Sequence, residues 1–258
     1  MTVSVVLPCY KDAPHLRRNV ERIVQTLELL NVGFEVILVN DASPDETGAI
    51  AEEIASEFAP GCIQVIHHPH NRGRGAAFVS GAREACGDIV GFLDVDLEVS
   101  PVYLIECVRM ITHDEADMVI GQRHYRVEFG LIYRHILSRS YSWLVSTVLG
   151  IPREFDSESG YKFFKRSVLE PYLNLFTHQG WFWDTEVVSR FHWGGRRIGC
   201  VPCLFLRNAE KSSTVRPVHD TVEYCKHLAL YWFSTRALRN HRGTVCERPR
   251  EDLPQKVA

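Results

Sequence analysis

The run Ile89-Val90-Gly91-Phe92-Leu93 is apolar throughout and passes directly into Asp94-Val95-Asp96-Leu97-Glu98. A strand without a polar residue is buried on both faces, as in a parallel sheet wrapped by helices. It delivers whatever follows it to the carboxyl edge, where open α/β sheets bind ligands. Carboxylates arriving there are hard oxygen donors suited to Mg2+ or Mn2+, which would bridge the phosphates of a nucleotide. Taken alone, Asp-x-Asp is also readable as a polar cap between strand and loop, because so short a pattern recurs by chance.

The rest of the first half follows the same rhythm. Apolar runs at Val3–Leu7, Glu35–Val39, Ile63–His67, Ile89–Leu93 and Met118–Gly121 predict strands. Helical patterns fall between them at about Pro14–Leu30, Pro44–Phe58, Gly75–Cys86 and Pro101–Ile111, the second and fourth opening with Ser-Pro, a good helix start. This order predicts an α/β fold with a mostly parallel central sheet flanked by helices. After Gly121 the pattern changes to an amphipathic segment at about Leu131–Leu149, a strand at Tyr161–Phe164, a helix at Thr185–Trp193, a strand at Arg196–Phe205 and a helix at Thr221–Arg239. The expected organisation is a main α/β domain over 1–215, an amphipathic helix over 216–240 and a flexible polar tail over 241–258.

With 258 residues, 45% of them hydrophobic, the chain can build one substantial core without staples. Lys and Arg number 29 against 32 Asp and Glu, a net charge of -3, so no basic field draws nucleic acid and any anion site must be local. The sequence enters a strand at once, with no leader pattern ahead of it, which predicts a cytoplasmic location. No apolar run reaches the roughly 18 residues of a membrane span, so contact with a membrane would be peripheral. The eight cysteines are expected to be reduced. Cys200-Val201-Pro202-Cys203 lacks the second ligand pair of a structural zinc site, and His67-His68-Pro69-His70 is expected to be a loop.

Ligand chemistry should collect where strands end. The exits are Pro8-Cys9-Tyr10-Lys11-Asp12, Asn40-Asp41-Ala42-Ser43-Pro44-Asp45, Asn71-Arg72-Gly73-Arg74-Gly75 and Asp94–Glu98, all polar and three containing Asp. An Asp after the second strand can bind a base or ribose, and Gly-bracketed arginines can approach phosphates; a turn with a helix cap explains the third exit equally well. Neither GxGxxG nor a P-loop occurs.

Together these residues resemble the inverting family-two glycosyltransferases of GT-A fold, within them the dolichyl- or polyprenyl-phosphate mannose or glucose synthases, over about residues 3–212. Val3–Asp12 is similar to the opening strand with Pro-x-Tyr-Asn-Glu, and Asn40–Asp45 to Asp-Asp-Gly-Ser-x-Asp, with Asn40 departing from the first acid. Asn71–Ala77 resembles Asn-x-Gly-Lys-Gly-x-Ala, and Asp94–Pro101 resembles Asp-Ala-Asp-Leu-Gln-x-x-Pro with Glu98 in place of Gln. Gly121-Gln122-Arg123, Arg134–Arg139 and Asp156–Arg166 resemble the more specific Gly-Ser-Arg, Arg-x-x-x-Ser-Arg and Asp-x-x-Ser-Gly-Phe-Lys-x-Phe-Arg-Arg.

The resemblance implies a donor site of Pro8, Tyr10, Asp12, Asp41, Arg74, Asp94, Val95, Asp96, Arg207 and Lys211, with Asp41 at the base. It implies metal ligation by Asp96 and Glu98, and an acceptor-phosphate site of Arg123, Arg134 and Ser138. Asp94, Asp156 and Arg123 would form the catalytic set. The partners would be a nucleoside-diphosphate sugar, a polyprenyl phosphate and a membrane surface. An anionic phosphate needs no general base; an alcohol or sugar acceptor would, with Asp156, Asp184 or Glu186 as candidates. By residue pattern, Asp184 and Glu186 are also ordinary charges for a helix amino terminus, and Trp181-Phe182-Trp183 reads as aromatic core packing ahead of a sugar or lipid groove. The alternatives are the same donor chemistry with a soluble or protein-linked acceptor, and a non-catalytic nucleotide-sugar-binding protein.

Overall fold

Along the first strand Val3, Val5, Leu7 and Cys9 turn to one side and Val6 to the other, and every one of them is fully buried. Both faces are therefore covered. The computed structural model describes residues 1–125, 143–206 and 217–236. Within them β1 (Thr2–Cys9), β2 (Gly33–Asn40), β3 (Ile63–His67), β4 (Ile89–Leu93), β5 (Met118–Tyr125), β6 (Tyr161–Lys165) and β7 (Ile198–Phe205) form one sheet in the order β3-β2-β1-β4-β6-β5-β7. All pairings are parallel except those of β6, which runs against both β4 and β5.

Helices α1 (Leu16–Glu28), α2 (Thr47–Glu57) and α4 (Leu104–Thr112) bury one face of the sheet. On the other lie α3 (Arg74–Glu84), α5 (143–149), α6 (Arg166–Leu173), α7 (Trp183–Trp193) and α8 (Pro217–Ser234). The apolar stripe of α1, Leu16, Val20, Ile23, Val24 and Leu27, has the spacing of a single helix face, which is why this helix was legible. In the second core Phe78, Phe92 and Trp183 pack with centroid separations of 4.8–5.4 Å, in edge and tilted geometries that aromatic quadrupoles favour.

One expectation needs correction. Ser43-Pro44 does not open α2: the Ser43 hydroxyl is taken by Lys11 N at 3.2 Å, tying two strand exits together, and the helix begins at Thr47. Ser100 does cap a 3-10 turn, Pro101–Tyr103, which leads into α4. Helix α6 was not foreseen, being short and containing Pro171. Cys200 and Cys203 lie three apart on β7, so their side chains leave opposite faces, and both are free thiols.

At the amino edge the buried Glu35 accepts from Ser4 Oγ (2.6 Å), Cys86 N (2.6 Å) and Gln64 Nε2 (3.1 Å), which satisfies a carboxylate that would otherwise be costly. The reversal of β6 matters at the opposite edge. Leu93 pairs with Tyr161, so the residues just before β6 stand beside those just after β4.

Candidate active site

The loops that follow β1, β2, β3 and β4 at the carboxyl edge each contain a residue in the left-handed region: Lys11 (φ 59), Ala42 (φ 54), Gly73 (φ 92) and Leu97 (φ 53). Such backbone clusters where the surrounding fold dictates a loop's shape. In the first loop Asp12 is buried and accepts from Tyr10 N at 2.8 Å, while its own N–H donates to Thr47 Oγ1 at 2.9 Å. Tyr10 is partly exposed, with Lys11 over its ring, and Pro8 lies in the strand itself.

Asp41 is buried, and both its oxygens are engaged. Oδ1 accepts from Arg72 N (2.8 Å) and pairs with His68 Nδ1 (2.7 Å); Oδ2 accepts from Gly73 N (2.7 Å). Its side chain thus fastens the β3–α3 loop. His67 pairs with Asn40 and Glu52, so the histidine run links strand, loop and helix. A Cβ on Gly73 would lie 2.7 Å from Gln179 O, the carbonyl that accepts from Gly75 N and Ala76 N, so a loop from the second half of the chain docks on the start of α3.

After β4 the side chains alternate. Val95 and Leu97 turn into the core, and Asn19 Nδ2 donates to Val95 O at 2.8 Å. Asp94, Asp96 and Glu98 line a cleft together with Arg123, Gly160 and Phe205. The end of β7 closes one side, through a bridge between Val99 and Phe205 and a bond from Leu206 N to Glu98 O (2.7 Å).

Arg74 does not project freely toward this cleft. Its Nη2 lies 2.8 Å from Asp94 Oδ1 and its Nε 3.4 Å from Asp184 Oδ2. The guanidinium is sandwiched between Phe92 (5.0 Å to the centroid) and Trp181 (4.6 Å). Asp184 continues the chain of charge to Lys162 Nζ at 2.5 Å, and Lys162 also donates to Ser159 O. Burial works against the charge on Arg74, but Asp184 and Asp94 outweigh it and hold the guanidinium above its ordinary pKa. Burial pushes Asp94 up to about 6 against the pull of Arg74. Lys162 is driven down by burial, with Asp184 opposing. A Cβ on Gly160 would sit 1.7 Å from Asp94 Oδ2, so only glycine leaves the carboxylate its place.

Across the cleft Arg123 is gripped by Asp156: Nε donates to Oδ2 (2.7 Å), Nη2 to Oδ1 (2.9 Å) and the backbone N–H to Oδ2 (3.2 Å). Burial opposes the Asp156 charge, yet Arg123 holds this carboxyl below its usual range. Glu158, 3.9 Å from the same guanidinium, is pushed by burial up to about 7, with Arg123 opposing. Of the base candidates, Asp156 is thus engaged by Arg123 and Asp184 is buried between Lys162 and Arg74. Glu186 accepts from Thr177 N, His178 N and Arg190, away from these contacts. Arg134, Ser138, Arg207 and Lys211 lie outside the described residues.

Sequence reasoning gave Lys162 no role. A signal existed: a lysine inside the buried strand Tyr161–Phe164 demands a buried carboxylate. The three aromatics divide, Phe182 and Trp183 being core and Trp181 exposed. The donor set at Asp96 and Glu98 is purely carboxylate, which fits Mg2+ or Mn2+. Among the described residues no three Asp, Glu, His or Cys side chains form a protein-only cage. Two carboxylates completed by phosphate oxygens is the arrangement Mg2+ favours.

A mostly parallel sheet with carboxylates gathered at its carboxyl edge is here the GT-A glycosyltransferase fold. Mannosyltransferase PcManGT from Pyrobaculum calidifontis, in complex with GDP-Man and Mn2+, superposes with a TM-score of 0.59 at 18% identity, covering 91% of this chain and 64% of that one. At that identity the likeness is one of fold. The chain belongs to glycosyl transferase family 2, whose sequence profile matches residues 4–188. Glycosyltransferase AglD of Haloferax volcanii is 34% identical over 204 residues, covering 78% of this chain and 32% of AglD. The dolichol-phosphate mannosyltransferase of Pyrococcus furiosus is 30% identical over 174 residues, covering 66% of this chain and 48% of the enzyme. The chain thus spans a third to a half of the length of these relatives.

Proposed function

We propose that this chain is a metal-dependent, inverting hexosyltransferase that moves a sugar from a nucleoside diphosphate, of the GDP-mannose or UDP-glucose type, to a polyprenyl phosphate. The observation that carries this reading is the meeting of Asp94, Asp96 and Glu98 with Arg123 in one cleft. Carboxylates on one side suit a cation-bound diphosphate, and the arginine suits a second anion. The dolichol-phosphate acceptor named for the Pyrococcus relative supports the choice of lipid.

The acceptor phosphate oxygen attacks the anomeric carbon from the face opposite the leaving group. A new C–O bond forms as the bond to the diphosphate breaks, and its electron pair leaves with the nucleotide, through an oxocarbenium-like transition state. An anionic nucleophile requires no base, consistent with Asp156, Asp184 and Glu186 all being engaged. Bound Mg2+ or Mn2+ supplies charge neutralisation of the diphosphate. Asp96 and Glu98 would hold the ion, and Asp94, fixed by Arg74 and Gly160, would face the donor sugar. Asp156 takes the Nε and one Nη2 proton of Arg123, which leaves the Nη1 edge of the fork for the acceptor phosphate. By the family resemblance Arg134 and Ser138 complete that site, and Arg207 and Lys211 the donor site.

Contact with a membrane would fall to α8. It turns Leu228 and Tyr231 onto the core and leaves Leu230 and Phe233 outside. Among the described residues no helix is long and apolar enough to cross a membrane, so this face would lie on the bilayer.

The test is transfer from labelled UDP- and GDP-sugars, with Mg2+ or Mn2+, to short-chain polyprenyl phosphate and to the matching prenol. Label on the phosphate alone supports the reading. Metal-dependent donor hydrolysis without lipid transfer points to a soluble or protein-linked acceptor. Asp96→Ala should abolish metal-dependent donor binding, whereas Arg123→Ala should spare it and impair transfer. Equal loss of donor affinity in both variants would defeat this division of labour.

A further inference from the structure

Trp181 is 63% exposed, although its neighbours Phe182 and Trp183 are buried. Leaving an indole in water forgoes the gain of burying a large apolar surface, so its position calls for a reason. One ring face lies on the guanidinium of Arg74, 4.6 Å from the centroid. That guanidinium is itself fixed by Phe92 beneath it and by Asp94 and Asp184 at its edges. The loop carrying the ring is fastened at two points. Thr177 N and His178 N donate to the buried Glu186, and Gln179 O accepts from Gly75 N and Ala76 N. The ring is thus held in place before any ligand arrives, with its outer face open, beside the arginine that orients a cleft carboxylate.

An open aromatic face next to a carboxylate is the pairing that recognises a pyranose. The C–H face of the sugar covers the indole while its hydroxyls donate to the acid. We propose that the outer face of Trp181 is the stacking platform for the hexosyl ring of the donor, with Asp94 as its polar partner. This rests on the donor chemistry proposed above and adds the element that would distinguish a nucleotide sugar from the bare nucleotide.

The experiment is calorimetric titration of the full chain with UDP-glucose, UDP, GDP-mannose and GDP in Mn2+, for wild type and for Trp181→Ala, Trp181→Leu and Trp181→Phe. Leucine keeps Arg74 covered but offers no ring; phenylalanine keeps a ring. The nucleotide sugar should bind wild type more tightly than its nucleotide. Trp181→Ala and Trp181→Leu should weaken only the sugar form, by about tenfold for a stacking contact, and Trp181→Phe should restore most of it. Equal weakening of sugar and nucleotide would show that Trp181 merely shields Arg74, and would overturn the platform. So would unchanged affinities in every variant, or intact donor binding with a raised KM for polyprenyl phosphate, which would give the face to the acceptor chain. Wild type binding neither nucleotide nor nucleotide sugar would remove the functional reading itself.

Discussion

Arg74 and Arg197 are each flanked by two aspartates, at opposite edges of the same sheet. Arg197 joins Asp114 and Asp117 where β5 and β7 begin, with its side chain 46% exposed. Arg74 joins Asp94 and Asp184 at the carboxyl edge, with its side chain 10% exposed and aromatic rings on both faces. The contacts look alike on paper, but the Arg197 guanidinium and Asp114 stand in water, whereas the Arg74 guanidinium and Asp184 are closed off from it and only Asp94 keeps a side open to the cleft. A screened pair contributes little. A desolvated one is costly to assemble and more costly to break, because removing one partner strands the others without solvent. The amino edge therefore clips two strands together, while the carboxyl edge fixes the orientation of one carboxylate.

The comparison can be broken most forcefully at Arg74. Arg74→Met should destabilise the fold by about 3 kcal/mol, read as a shifted denaturant midpoint, because Asp184 and Lys162 lose their link to Asp94. An effect as small as that of a surface pair would erase the distinction between the edges. Gly160→Ala should act on function before stability. With Asp94 Oδ2 only 1.7 Å from the added carbon, the carboxylate must move, and transfer should fall about a hundredfold while the circular dichroism spectrum is retained.

A gentler probe uses pH. Glu158 in the folded protein titrates at about 7, above the ordinary glutamate value, because burial disfavours its charge. Between the ordinary value and 7 the unfolded chain loses a proton that the folded one keeps, so stability falls as pH rises through that window and then levels. Glu158→Gln removes this loss. Its denaturation midpoint should gain on wild type from pH 5 to pH 7.5 and hold a constant lead above pH 8; a lead that does not vary with pH contradicts the assignment. The smallest effect is expected of Arg197→Met, about 1 kcal/mol and with unchanged transfer, since the guanidinium and Asp114 are open to solvent and only Asp117 is buried.

Short strands bounded by polar turns were plainest in the sequence. Ile89–Leu93, buried throughout, and the half-buried edge strand Ile63–His67 both run between the same residues as read, because such bounds leave little freedom. The direction of β6 was not legible, since it depends on a long connection that carries no local signal of pairing. Asp94, Asp96, Glu98 and Arg123 do meet in one cleft, as strand exits at one edge must. What the sequence concealed were the inward-facing partners. Gly-bracketed Arg74 looks poised for phosphate, and Asp184 looks like a base or a charge for a helix amino terminus; only the fold sets them against each other. Asp41 likewise spends both carboxylate oxygens on His68 and the amides of Arg72 and Gly73, donors that pattern alone does not reveal.

Ala42 holds a left-handed backbone, φ 54, at the point where the family pattern has glycine. For a residue with a Cβ that conformation costs about 1–2 kcal/mol, and the neighbouring anchor of Asp41 keeps it in place. Position 42 is therefore a narrow gate for sequence drift. Glycine or asparagine could enter and relax the turn, whereas valine or isoleucine would press the backbone toward extended angles and lift Asp41 from the amides it organises. Variation among close homologues should be sparse there, although the side chain itself is a single methyl group.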